Sequence, residues 1–140
     1  MESAGSGLIQ CDWRGVATST PPSYTVFIYA TLNRRTDEMA MMAFYSRFKD
    51  LAFKETRVCT VLPGRAMPAD EYGFLEFYCD DTRCDCRRVI IKVLGHHSGD
   101  KVWATISYGW EAPEFYRKWA GTDLLDAEEM CRPTLDPLNP

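Results

Sequence analysis

Histidine is scarce in this sequence. There are two, His96 and His97, side by side. With both in one short stretch, a Ser-His-Asp or Cys-His catalytic pair is hard to assemble. Phosphate-binding loops are missing too, since neither G-x-x-x-x-G-K-[ST] nor G-x-G-x-x-G occurs. Positive charge is not in excess. The 16 basic and 20 acidic residues leave a net charge of −4. A non-specific nucleic-acid binder needs the opposite balance, because phosphate neutralisation consumes Lys and Arg. Long apolar runs are also absent. Nowhere do about 18 apolar residues follow one another, so no membrane span is expected. The start, "MESAGSGLIQCDW", lacks the basic and apolar regions of a signal peptide. The end carries no prenylation box. The expected compartment is the cytosol, where thiols stay reduced.

Apolar material is plentiful. Hydrophobic residues make up 46% and aromatics 13% of 140 residues, enough for one domain with a core of its own. A domain of this size folds without disulfides, so its six cysteines need not be staples.

Residues 1–23 are rich in Gly, Ser, Thr and Pro and are expected to form a flexible arm. Residues 24–140 are expected to form a single α+β domain. "YTVFIYATL" (Tyr24–Leu32) reads as a buried strand. A helix should follow, with Thr36 as its N-cap, Asp37 and Glu38 in its first turn, and Met41, Phe44, Phe48 and Leu51 on one face. "TRVCTVL", "FLEFYC", "RRVIIKVLG" and "KVWATISYGW" read as strands, the last three as a meander. "HHSGD" reads as a hairpin tip in which Gly99 takes positive φ and the two histidines are solvated. "APEFYRKWAG" reads as a helix, opened by Pro113 and closed by Gly121. The expected fold is an antiparallel sheet of four to five strands, with one helix before the meander and one after it.

Within that plan, "FYCDDTRCDCRRVII" (Phe77–Ile91) packs three cysteines, three aspartates and three arginines into one connection. The spacing is Cys79-x4-Cys84-x-Cys86. Zinc needs thiolates that converge on one ion at about 2.3 Å with tetrahedral angles. A turn that reverses the chain between two strands presents its sulfurs to one point. Cys84 and Cys86 share a face if the chain is extended. For the fourth ligand, Cys59 ranks first, Cys131 second and a local aspartate third. His96 and His97 lie at the far end of the strand, about 30 Å away. A four-thiolate zinc site carries −2, and Arg83, Arg87 and Arg88 are expected to surround it and bond to sulfur. Asp80, Asp81 and Asp85 suit backbone capping in the turn. The bland alternative is three small residues in a turn by chance. A third alternative is thiol redox chemistry, with a strained and reducible Cys84–Cys86 ring.

The remaining groups invite plainer readings. Asp70-Glu71 and Glu128-Glu129 are read as solvated surface charge. Trp103, Tyr108, Trp110, Phe115, Tyr116 and Trp119, near Arg117 and Lys118, are read mainly as core. As a set they also suit a protein partner better than single-stranded bases, given the acidic balance.

"EYGFLEFYCDDTRCDCRRVIIKV", "ATISYGWE-x-x-EFYRKW" and the terminal "LDPLNP" together resemble a group of uncharacterised bacterial proteins. These share F-Y-C-x-D-x-x-C-D-C-R-R-V followed by a strand with S-x-G-W. The likeness covers Glu71 to Trp119 and the last six residues. It implies that the cysteine turn defines the group, and that some members continue beyond the terminal segment. It implies no activity. The sequence alone therefore supports a zinc-binding interaction module, with a zinc- or thiol-dependent enzyme as the alternative.

Overall fold

The structure is a computed structural model and describes residues 10–12, 41–99, 101–121 and 126–136. Its centre is a meander of three long antiparallel strands. These are β4 (Asp70–Cys79), β5 (Arg88–Gly95) and β6 (Val102–Gly109). β3 (Arg57–Val61) pairs with the first half of β4, from Asp70 to Phe74. That leaves the other half of the β4 edge open, and β2 (Met41–Ala43) fills it at Phe77–Cys79. β1 (Gln10–Asp12), inside the expected arm, extends the sheet beyond β3. β7 (Thr134–Leu135) extends it beyond β6. The α+β class and the antiparallel meander are as expected, and the short β1, β2 and β7 bring the sheet to seven strands among the described residues.

The helix before the meander departs from expectation at its start. Met41–Ala43 is strand, not helix, because the unpaired β4 edge offers ladder hydrogen bonds there. Two short helices follow, α1 (Phe44–Arg47) and α2 (Lys49–Glu55), broken at Phe48, whose φ of −126° and ψ of 57° are not helical. The N-cap position belongs to Ala43, which makes no side-chain cap. Thr36, Asp37, Glu38 and the expected strand Tyr24–Leu32 lie outside the described residues. Phe48 and Leu51, expected on the buried face, are exposed. Ala43 and Ala52 are buried instead, against Leu75, Phe77 and Leu94 of the sheet.

The other sheet face carries Tyr72, Val61 and Val93, with Phe74, Trp103 and Ile106 packed around them. Beside these lies an apolar groove of about 480 Å³ between Tyr78, Tyr108 and the half-exposed Trp110. After β6, α3 (Pro113–Ala120) begins at its proline and ends at Gly121, whose φ of 63° is left-handed, as expected. A further helix, α4 (Ala127–Met130), is capped by the Asp126 carboxylate, which accepts from the Glu128 and Glu129 N–H groups. Tyr116, Ala127 and Met130 form the core between these helices and the end of the sheet. Among the described residues no helix is long and apolar enough to cross a membrane.

At the opposite end of the meander, Asp70 contradicts its reading as surface charge. Its side chain is 3% exposed, while that of His97 is 74% exposed. The carboxylate accepts from the Glu71 N–H at 2.8 Å, the His97 N–H at 3.1 Å and the Ser98 hydroxyl at 2.9 Å, and lies 2.8 Å from His97 Nδ1. It therefore ties the β5–β6 tip to the start of β4. Burial alone would raise its pKa, but the bonds from His97, Glu71 and Ser98 outweigh it and hold the value at about 2. Because the folded value is depressed from 3.8, this stabilisation is present above pH 4 and is lost as pH falls through about 2. Asp70→Asn should cost about 2 kcal/mol at neutral pH and flatten the stability profile between pH 4 and 2. Urea denaturation across that range measures it. A variant with the wild-type acid limb would show that the charge is not what ties the tip.

Candidate metal centre

The cysteine turn is built by its own polar residues. Asp81 makes it compact: its side chain accepts the Arg83 N–H at 2.9 Å, and its carbonyl accepts the Cys84 N–H at 2.9 Å. The first is an Asx turn and the second closes a four-residue reversal. Arg87 has φ 47°, the only positive φ at a non-glycine residue among those described. Such a backbone is strained by about 1 to 3 kcal/mol and persists only where its surroundings enforce it. Here Tyr116 does so, donating its hydroxyl to the Arg87 carbonyl at 2.8 Å. The kink separates Cys86 from the regular run of β5 and turns it back toward the preceding strand.

The result is convergence. Cys79, Cys84 and Cys86 place their sulfurs within 4.8 Å of one another, all half-buried. A tetrahedral ion with about 2.3 Å bonds needs sulfurs roughly 3.8 Å apart. The set fits a metal with small rotamer adjustments. Burial, together with the hydrogen bond that the Cys86 S–H donates to Cys84, pushes the Cys86 thiol up to about 11, while the Arg88 N–H draws it down. A metal must displace that proton, so affinity should fall as pH falls.

The other expected ligands are elsewhere. Cys59 is buried opposite Tyr72, seven positions along β4 from Cys79, which is about 23 Å at the rise of a strand. It cannot join the three, and its first rank as fourth ligand is overturned by the register. Cys131 follows α4 and donates its thiol to the Ala127 carbonyl at 3.0 Å. Among the described residues, no fourth His, Cys, Asp or Glu completes the group. Asp80 lies 3.7 Å from Arg47, and Asp85 is held by Arg87. Cys59→Ala should therefore leave metal content unchanged, a point that elemental analysis of the purified variant settles.

The arginines also differ from expectation, because no guanidinium among the three bonds a cluster sulfur. Arg83 pairs with Asp81 at 3.4 Å. Arg87 reaches Asp85 and Glu111, each at 2.8 Å, and these carboxylates raise its pKa further. Carboxylates outcompete neutral thiols for a guanidinium because charge-assisted bonds are about twice as strong. Arg88 donates its side chain to Ser107, and only its main-chain N–H touches sulfur, at Cys86.

Comparison with protein families, curated proteins and solved structures finds no match for this chain. The three convergent thiols carry the functional reading by themselves.

Proposed function

We propose that the domain holds one zinc ion through Cys79, Cys84 and Cys86 and acts as a binding or interaction module. The supporting observation is the convergence of three sulfurs on one point at the mouth of the β4–β5 hairpin. Soft thiolates select zinc or copper(I) over magnesium and calcium. Zinc suits a reducing cytosol, since it undergoes no redox change. The ion would tie Cys79, the last residue of β4, to Cys86, just before β5, and so lock the hairpin on which the sheet is built. The turn is also the motif shared with the bacterial group that this chain resembles, and membership of that group is part of the proposal. Purified protein should contain about one zinc per chain. A folded sample free of metal would end this reading.

A second reading has one observation in its favour. Structural zinc sites close with four protein ligands, whereas catalytic sites keep one position for water or substrate. Three thiols with no fourth donor among the described residues fit the open kind. The fourth ligand separates the two: a protein donor closes the site, and a water keeps it open. Alkylation separates a thiol-dependent enzyme from both, because zinc-bound thiolates react slowly with iodoacetamide and a free low-pKa thiol rapidly.

A further inference from the structure

Arg88 was expected to face the sulfurs, and its guanidinium faces a different space. It reaches from β5 to the Ser107 hydroxyl on β6, and both residues line a cavity of about 290 Å³ between the sheet, α4 and β7. That volume is at the lower end of ligand-binding pockets. Asp126 and Glu129 line the same cavity from its exposed rim at α4, and Asp136 lines it just past β7. Ile90 and Met130 supply apolar wall between the two.

Arg88 does not pair with the carboxylates of this cavity. Among the described residues, Arg88 forms no ion pair within 4.0 Å, while Arg47, Arg83, Arg87, Arg117 and Arg132 each do. Glu129 forms none either, and one Asp126 oxygen is spent on the α4 N-terminus. A half-buried guanidinium with one hydroxyl partner keeps several donors to spare. A carboxylate entering the cavity would take those donors, and the acidic rim suits a cation on the same molecule.

We infer that this cavity binds a small zwitterion, a free amino acid with an apolar side chain. Its carboxylate sits on Arg88 and Ser107, its ammonium group on the Glu129 and Asp126 rim, and its side chain against Ile90 and Met130. Arginine suits the carboxylate because its planar fork pairs with two oxygens at once. The site is distinct from the sulfur cluster and stands whether or not zinc is confirmed.

The test is amide NMR of the full-length chain, as purified, titrated with L-leucine, L-methionine and L-phenylalanine at millimolar concentration. Saturable shifts at Arg88, Ser107 and Glu129 are expected with at least one of them. 4-Methylpentanoate and 3-methylbutylamine, which each keep one charge of leucine, should bind at least tenfold more weakly. Arg88→Gln should abolish the shifts. Glu129→Gln, an exposed change that leaves the fold intact, should weaken binding about fivefold and serves if Arg88→Gln does not fold. No shifts with any of the three amino acids, equal binding of the single-charge analogues, or unchanged binding in Glu129→Gln would each overturn the inference.

Discussion

Cys84→Ser should lose the metal and melt well below wild type. Cys84 is the central donor of the three and the one held by the turn itself, through the Asp81 carbonyl. Serine keeps the size and the backbone but offers zinc a poor ligand. Two thiols remain, and zinc content should fall from about one per chain to below a tenth. At free zinc a thousandfold above the dissociation constant, binding contributes about 4 kcal/mol to folding. For a chain of this length, that corresponds to a melting temperature lower by roughly 13 °C. Wild-type protein stripped by a chelator should melt together with the variant, because both lose the same contribution. An unchanged melt in Cys84→Ser would count against any metal at this turn.

Gly109→Ala should be the most damaging single methyl group. A Cβ at this position would overlap the Tyr116 hydroxyl and the Met130 carbonyl. One of these is backbone, so a rotamer change cannot relieve it. Tyr116 is fully buried, and its hydroxyl is the partner that holds the Arg87 kink. Gly109 also pairs directly with Arg88. The added methyl group must therefore push α3 and α4 away from the sheet or displace the first residues of β5. Overpacking of this kind costs about 3 kcal/mol. It should also weaken zinc binding about tenfold, through Arg87 and its neighbour Cys86. Thermal denaturation and a competitive zinc titration measure the two effects. A variant within 0.5 kcal/mol of wild type would mean that this end of the sheet is looser than its packing indicates.

The meander and α3 were legible because their signals are local. The alternation in "FLEFYC" and "RRVIIKVLG", and Pro113 and Gly121 around the helix, act over a few residues each. The three cysteines were legible for the same reason, since eight residues and one turn contain them all. What escaped the sequence was set by distant neighbours. Met41–Ala43 became a strand because β3 pairs with β4 only as far as Phe74 and leaves an edge open. Asp70 was buried by a loop that returns 27 residues later, and no local pattern announces that contact. Cys59 was misplaced because the register of β3 on β4 was unknown; the sequence showed a neighbouring strand but not which end of it. The arginines were misassigned because nearby carboxylates and Ser107 compete for them, and the outcome of that competition depends on geometry. Helical spacing at Phe48 and Leu51 failed because a break at Phe48 ends the stripe after one turn.

The most direct test is X-ray absorption at the zinc edge on protein purified without added metal. Three sulfurs near 2.3 Å and one lighter atom near 2.0 Å are expected, at about one zinc per chain. A folded, metal-free chain, or a shell of nitrogen and oxygen without sulfur, would contradict the account.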